Sequence, residues 1–297
     1  MPQRHPFSAV VTLPRDDSAD RVSDPTAHGA LHWAPHHDPG YGTRMYALAQ
    51  WVRDAQPEAC VVDVSVEVAV FLRLMGVPTV VVALPGDRTD PPHVLVHQMA
   101  DHILAAWPAG LHTPRWLRPH AHKTSYVGGI SRFEERTAPG VDRGDTGDLR
   151  VLLLGGAADA FGCQSVWDGA TYTALGGASG MWTDDPWPYL CEADVVVSHA
   201  GQNSVADIAA ARRPAVVIPQ PRPFDEQHAT ASVLERHGLA VTAARWPARG
   251  EWPELLQRVR AGDADRWRQW QVHGAAARAA AAIESTAVRC GREAGTA

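Results

Sequence analysis

The chain has 297 residues, of which 45% are hydrophobic, and a formal net charge of -6 at pH 7. Its length is sufficient for one large domain or two ordinary domains with buried cores. The acidic balance, without a long Lys/Arg run, argues against nucleic acid as a partner.

The four cysteines form no C-x-x-C pair, so neither a zinc cage nor a disulfide framework is indicated. No apolar run is long enough to span a membrane, and the first residues lack the apolar segment of a signal peptide. We therefore expect a cytoplasmic protein and leave peripheral contact with a membrane open. The abundant Ala, Arg and Trp are typical of a high-GC bacterial genome.

Strand and helix signals alternate along the first half, after a loop-rich start at residues 1–42. A helical apolar period begins at Thr43 and stops before Pro57. Strands are predicted at 59–64, 77–83 and 103–107, with helices at 67–75 and 93–100. Such alternation is typical of a parallel sheet covered by helices.

Composition divides the chain into predicted domains. Residues 131–148 are polar and charged, which favours an interdomain linker between a first domain at 1–130 and a second α/β series at 149–262. The remainder, 263–297, is predicted as one long Ala-rich helix followed by a tail.

The strongest functional signal is a βαβ unit between Asp194 and Gln220. Two Val/Ile strands, at 195–197 and 215–218, flank a helix at 205–211, and such unbroken runs are typical of buried parallel strands. The turn between the first strand and the helix lies at a helix amino terminus, where backbone N–H groups and the helix dipole favour an anion. We predict a phosphate there, near His199, Gly201, Asn203 and Ser204. A helix N-cap with an incidental histidine is the alternative.

Acidic and amide side chains follow this turn. Asp207 lies one helical turn later, where a carboxylate can accept both hydroxyls of a ribose or simply complement the helix dipole. Glu226 and Gln227 lie at another predicted helix start, where they suit sugar hydroxyls, whereas ordinary capping by Asp225 is the alternative.

These motifs in this order, from His199-x-Gly-x-Asn-Ser204 through Arg213-Pro-x-Val-Val-Ile-Pro219 to Asp225-Glu-Gln-His228, resemble the C-terminal donor domain of GT-B nucleotide-sugar glycosyltransferases. The resemblance is closest to family 28, the type that includes the peptidoglycan GlcNAc transferase, and it covers about residues 149–245. It implies an α/β GT-B architecture of two Rossmann-like parallel-sheet domains that face a cleft.

The resemblance also implies roles for individual residues. The donor would be a UDP-sugar, with its diphosphate at His199, the ribose at Asp207 and the sugar at Glu226 and Gln227. The full donor-binding set that it implies is Gly155, Gly156, Trp182, Trp187, His199, Gly201, Asn203, Ser204, Asp207, Glu226 and Gln227. Within this set, Trp187 would contact the base or belong to the core.

The first half resembles the acceptor domain of the same family at 61–69 and 76–81. Asp63 and Glu67 are weak candidates for acceptor contact, and each could instead be a capping or buried paired acid. The family's Gly-x-Gly-His loop has no match in residues 1–42. We therefore expect the acceptor domain to lack its initial strand-loop-helix, or the start to be placed too late, so the catalytic residues stay unassigned.

The implied reaction is transfer of a hexosyl group, GlcNAc or similar, from a UDP-sugar to an unidentified hydroxyl acceptor with inversion. It requires no metal and no cofactor besides the UDP-sugar. Two alternatives stay open: a UDP-sugar hydrolase or 2-epimerase of the same fold, and a non-catalytic UDP-sugar-binding module. In the module, a partner would supply the missing acceptor segment.

Overall fold

A computed structural model describes residues 7–18, 21–139, 149–161, 166–178 and 180–294. Strands and helices alternate through most of this part, as the apolar runs predict. The α-helices in it are α1 (Pro39–Ala55), α2 (Val66–Leu74), α3 (Pro91–Met99), α4 (Ala157–Phe161), α5 (Trp187–Glu192), α6 (Gln202–Ala211), α7 (Glu226–Arg236), α8 (Trp252–Arg260) and α9 (Ala275–Ala294). None of these helices is both long enough and apolar enough to cross a membrane.

The strands form two sheets, with the orders β1-β2-β3-β4 and β6-β5-β7-β8-β9. Every pairing within the second sheet is parallel. The strands are β1 (Cys60–Asp63), β2 (Thr79–Ala83), β3 (His102–Ala105), β4 (Thr124–Tyr126), β5 (Leu149–Leu154), β6 (Ala170–Leu175), β7 (Val195–Ser198), β8 (Ala215–Val217) and β9 (Val241–Thr242). The prediction of an α/β protein with parallel sheets is therefore confirmed.

Two compact units divide the described residues. The first contains the chain up to Val81, Thr89–Asp101 and the residues from Thr286 onward. The second contains Val82–Arg88 and His102–Ser285. The predicted domain boundaries at 130, 148 and 262 stay a prediction.

The second sheet has its core between its strands and α8. Its central strands are apolar on both faces, and all four residues of β7 are buried. This explains why the strands lack alternation: helices cover both faces of a parallel sheet. The core cluster consists of Val151, Leu153, Val195, Val197, Val216, Ile218, Trp252, Leu256 and Val259.

The register of this sheet brings three strand ends to one level. Leu154 of β5 pairs with Ser198 of β7, and Ser198 pairs with Val217 of β8. Because all three strands are parallel, the loops that follow them emerge side by side at the carboxyl edge of the sheet. That edge is the scaffold for the candidate site.

The prediction of one long C-terminal helix from Asp263 is wrong. The structure has a 3₁₀ helix at Ala264–Trp270, and α9 begins only at Ala275. Between them the backbone is left-handed, with φ 54° at Gln271 and 73° at Gly274. Both Trp267 and Trp270 are buried, so the helix break coincides with packing of these two tryptophans. Ala-rich composition does not predict such a break, because it favours a continuous helix.

Candidate functional site

Two glycines, a histidine and a serine meet at the carboxyl edge of the second sheet. A Cβ added to Gly156 would lie 3.0 Å from Cδ2 of His199, and one added to Gly155 would lie 3.9 Å from Oγ of Ser204. The turn after β5 therefore lies directly beside the turn after β7. The structure thus brings together four of the residues that the sequence assigned to a diphosphate.

The glycine turn after β5 depends on its residue types. Gly155 has φ +64°, a left-handed conformation that costs residues with a Cβ about 1–2 kcal/mol. Its N–H donates to the carbonyl oxygen of Leu175 at 2.8 Å. At Gly156 the requirement is space, because any larger side chain would press on the His199 ring.

A backbone hydrogen bond fixes the orientation and protonation of His199. Its Nδ1 lies 2.6 Å from the carbonyl oxygen of Ile218. Since a carbonyl cannot donate, Nδ1 carries a proton, and Nε2 of the neutral ring is an acceptor. His199 can therefore donate from Nε2 to a phosphate only as the imidazolium.

The amino terminus of α6 is open to an anion. Gly201 is the N-cap, with φ -69° and ψ 138°, and no side chain caps the helix among the described contacts. A Cβ on Gly201 would meet no atom within 4 Å. Asn203 is exposed and Ser204 is half-buried. The first N–H groups of this helix therefore complement a phosphate.

Asp207, predicted to bind a ribose, is 8% exposed. Its Oδ1 accepts a hydrogen bond from Oγ of Ser131 at 2.6 Å, and its Oδ2 lies 3.6 Å from Nε of Arg132. Burial raises the pKa of Asp207, against the opposing effects of the Ser131 hydroxyl and the Arg132 charge. A carboxylate held this way is oriented, and it could still accept hydrogen bonds from further hydroxyls.

Gln227, predicted to contact the donor sugar, joins two loops of the site. Its Oε1 accepts from the backbone N–H of Ala200 at 3.2 Å and from that of Gln220 at 2.9 Å. The side chain is 7% exposed. Gln227 therefore holds the loop after β7 against the loop after β8, and its amide nitrogen takes part in neither bond.

Glu226 pairs with a buried arginine far away in sequence. Its Oε2 lies 2.9 Å from Nη2 of Arg88, whose side chain is 4% exposed. The guanidinium carbon of Arg88 also lies 4.5 Å from the ring centre of Phe224. Phe224 and Asp225 have φ of 62° and 56°, which is strained for residues other than glycine. The pair with Arg88 thus anchors a strained loop.

The two tryptophans predicted near the base differ in exposure. Trp187 is 9% exposed and its ring centre lies 5.2 Å from that of Phe133, which is core packing. Trp182 is 80% exposed. Asp185, which lies between the two tryptophans in sequence, accepts two hydrogen bonds of 2.8 Å from Arg136.

The two acceptor candidates lie in the first unit. Asp63 is exposed at the end of β1 and precedes Val64, whose φ of 75° is unusual for a β-branched residue. Glu67 is 9% exposed, and its Oε1 accepts from the backbone N–H groups of His32 and Trp33 at 2.7 and 3.0 Å. The Glu67 carboxylate therefore holds a loop in place.

Sequence reasoning missed three residues that support the site. Gln220 lies three residues after the end of β8, and its Nε2 would lie 3.7 Å from a Cβ on Gly156. Its place in the loop after a strand was a usable signal. Ser131 and Arg88 carried no usable sequence signal, because both belong to polar loops without apolar periodicity. Ser131 was placed in the predicted linker, of which residues 140–148 lie outside the described residues.

One known family and a curated protein are similar to parts of this chain. Residues 181–252 match the glycosyltransferase family 28 C-terminal domain. A curated relative from Sorangium cellulosum (strain So ce56) is 28% identical over 213 residues, which are 61% of this chain and 51% of the relative. It is named UDP-N-acetylglucosamine--N-acetylmuramyl-(pentapeptide) pyrophosphoryl-undecaprenol N-acetylglucosamine transferase. The match thus spans about half the length of that relative.

Solved structures share the fold at low identity. MurG of Acinetobacter baumannii has a TM-score of 0.52 at 17% identity, with 82% of this chain and 77% of that chain covered. The spinosyn forosaminyltransferase SpnP has a TM-score of 0.58 at 12% identity, over 83% and 80% of the two chains. These neighbours are GT-B glycosyltransferases. The chain thus has the fold of the GT-B glycosyltransferases, and its residues 181–252 match the C-terminal domain of glycosyltransferase family 28.

Proposed function

We propose that this protein transfers a hexosyl group, GlcNAc or a close relative, from a UDP-sugar to a hydroxyl acceptor with inversion of the anomeric centre. The family match supports sugar transfer. The name of the Sorangium cellulosum relative supports UDP-N-acetylglucosamine as the donor. Because the match spans about half of that relative, the complete activity and its acceptor are part of the proposal.

One observation carries the donor assignment: the glycine turn after β5, His199 after β7 and the open amino terminus of α6 converge at one edge of the second sheet. This arrangement suits a diphosphate, since it offers backbone N–H groups, a helix dipole and a ring that can become cationic. Asp207, one turn along α6, would accept the ribose hydroxyls. The donor would then extend toward the loop that carries Glu226 and Gln227.

The same groups would assist the reaction. The acceptor hydroxyl oxygen attacks the anomeric carbon from the face opposite the diphosphate and gives its proton to a base that stays unassigned. The bond from the anomeric carbon to the diphosphate oxygen breaks, and the configuration inverts. Negative charge then grows on the departing UDP. Fixed N–H donors and an imidazolium at His199 stabilise this charge more strongly in the transition state than in the bound substrate, which is the condition for catalysis.

A product assay tests the function. The purified chain is incubated with UDP-GlcNAc, with and without a soluble short-chain analogue of the pyrophosphoryl-prenol acceptor, and UDP and sugar products are separated by chromatography. We expect UDP and a glycosylated product only with the acceptor. Acceptor-independent UDP release would indicate a hydrolase, and a C2-epimeric sugar product would indicate an epimerase. Tight UDP binding without any turnover would indicate a non-catalytic UDP-sugar-binding module.

A further inference from the structure

Two histidines and an aspartate form a compact cluster in the first unit. Nε2 of His32 lies 2.7 Å from Oδ2 of Asp90, and Nδ1 of His93 lies 2.6 Å from Oδ1 of the same carboxylate. One nitrogen or oxygen atom from each residue lies within 4.8 Å of the other two. The donor-site residues described above belong to the second unit, so this cluster is not part of that set.

The local fold presents these side chains together. Asp90 is the N-cap residue of α3, yet its side chain makes no capping hydrogen bond and turns to the histidines instead. His93 lies three residues later, on the same side of the first helical turn. An aspartate that forgoes capping to face two imidazoles is a site feature that helix formation alone does not require.

Buried neighbours fix the two histidines. The Glu67 carboxylate accepts the backbone N–H of His32 at 2.7 Å and so holds the loop that carries it. The ring of His97, which is 4% exposed, stacks on His93 with centroids 5.9 Å apart and planes 29° apart. Ligand side chains that are held by a second layer of contacts are typical of metal sites.

The chemistry of the donor atoms selects the ion. Two imidazole nitrogens and one carboxylate oxygen suit zinc or a similar divalent transition metal, whereas Mg²⁺ and Ca²⁺ prefer oxygen ligands. Tetrahedral zinc at about 2.0–2.2 Å from each ligand places the ligand atoms about 3.3–3.6 Å apart. His32 and His93 lie 2.7 and 2.6 Å from different oxygens of the Asp90 carboxylate, and one ligand atom from each of the three residues lies within 4.8 Å of the others, so small side-chain adjustments bring the three atoms to that spacing.

We infer that His32, Asp90 and His93 bind one Zn²⁺ ion through Nε2, a carboxylate oxygen and Nδ1. Three protein ligands leave a fourth tetrahedral position for water or another oxygen ligand, as in catalytic rather than structural zinc sites. The metal displaces the protons that now join the imidazoles to Asp90. The inference is independent of sugar transfer, and it concerns a site that the sequence did not predict.

The test is zinc titration of the untagged chain after removal of metals with a chelator. Calorimetry should show one site with a dissociation constant of micromolar or tighter, and Co²⁺ should give the visible absorption of a tetrahedral site. Mg²⁺ and Ca²⁺ should not compete. The variants H32Q and D90N should each weaken zinc binding at least tenfold, while thermal unfolding without metal reports whether the fold is retained.

H122Q is the matched control, because His122 is an exposed histidine of the second unit. The chain contains 15 histidines, so weak binding at several sites is expected in every variant and is separated by its affinity. The inference is overturned if no one-to-one site appears, or if H32Q and D90N bind zinc as tightly as H122Q does.

Discussion

The Nδ1–H group of His199 donates a hydrogen bond to the carbonyl oxygen of Ile218, at a distance of 2.6 Å. This bond leaves Nε2 of a neutral ring as an acceptor, which a phosphate oxygen would repel. Contact between Nε2 and the diphosphate therefore requires the imidazolium form of His199.

The variant H199A should bind UDP about 10- to 100-fold more weakly in calorimetry, because a charge-assisted hydrogen bond contributes about 1.5–3 kcal/mol. The matched control is H228Q, at a half-exposed histidine after the start of α7. Equal UDP affinity of wild type and H199A would rule out the contact between His199 and the diphosphate.

A side chain at residue 156 should reduce UDP affinity without unfolding the protein. In G156A the new Cβ lies 3.0 Å from Cδ2 of His199, so the ring or the turn must shift by a few tenths of an ångström. G250A is the control, since a Cβ there meets no atom within 4 Å. Calorimetry should show weaker UDP binding by G156A alone. Identical affinity in both variants would argue that the diphosphate lies elsewhere.

The stability of the protein should depend on pH through Asp207. Burial is the main cause of its raised pKa, so the folded state takes up this proton at a higher pH than the unfolded chain, in which Asp has a pKa of about 3.9. The stability that this proton uptake contributes is fully present below a pH of about 3.9 and is lost as pH rises through the pKa of Asp207 in the folded state. Asparagine does not titrate. As pH rises above about 4, D207N should therefore gain stability relative to wild type.

Urea unfolding at several pH values measures this difference. D54N is the control, because the side-chain hydrogen bond from Arg53 lowers the pKa of the exposed Asp54 carboxyl. The free energy of unfolding of D54N relative to wild type should not rise with pH as that of D207N does. A D207N difference that is constant with pH would contradict the assignment.

Gln227 should respond differently to two substitutions. Q227A removes the oxygen that accepts the N–H groups of Ala200 and Gln220, and two N–H groups without partners should cost about 1–3 kcal/mol each. Q227E keeps an acceptor oxygen and replaces the amide nitrogen. Chemical unfolding should show a large loss for Q227A and a small one for Q227E.

Donor binding then separates positioning from contact. If the amide nitrogen contacts the sugar, Q227E should bind UDP normally but UDP-GlcNAc more weakly. Equal binding of both ligands by Q227E and wild type would leave Gln227 with a positioning role alone.

Breaking the pair between Arg88 and Glu226 should loosen the strained loop at Phe224. In E226Q the guanidinium of Arg88, which is 4% exposed, keeps a hydrogen-bond acceptor but loses its negatively charged partner. We expect a loss of about 1–3 kcal/mol in the free energy of unfolding, moderated by the partial exposure of Glu226. D17N, at an exposed pair with Arg15, should show no measurable change. A loss in D17N as large as that in E226Q would contradict a specific role for this pair.

The elements around the candidate donor site were largely predictable from sequence. Unbroken Val and Leu runs in β5 and β7 indicate buried parallel strands, and the carboxyl ends of such strands lie at one edge. The glycine turn at Gly155 and the turn at His199 could therefore be expected to meet. A Cβ on Gly156 would lie 3.0 Å from Cδ2 of His199, so the two turns are neighbours in the structure, while their role in donor binding stays a prediction.

Long-range polar contacts were not predictable in the same way. Ser131 and Asp207 are 76 residues apart, and Arg88 and Glu226 are 138 apart. Polar loops carry no periodicity that indicates their partners. The break at Gln271 was also hidden, because its left-handed backbone depends on tertiary packing, while Ala-rich composition favours a continuous helix.

The central claim is that a diphosphate binds at the amino terminus of α6, beside the glycine turn and His199. Calorimetric titration of the wild-type chain with UDP and with uridine tests it most directly, since the two ligands differ only in the diphosphate. We predict one UDP per chain, with uridine at least tenfold weaker. No UDP binding, or equal affinity for UDP and uridine, would contradict the claim.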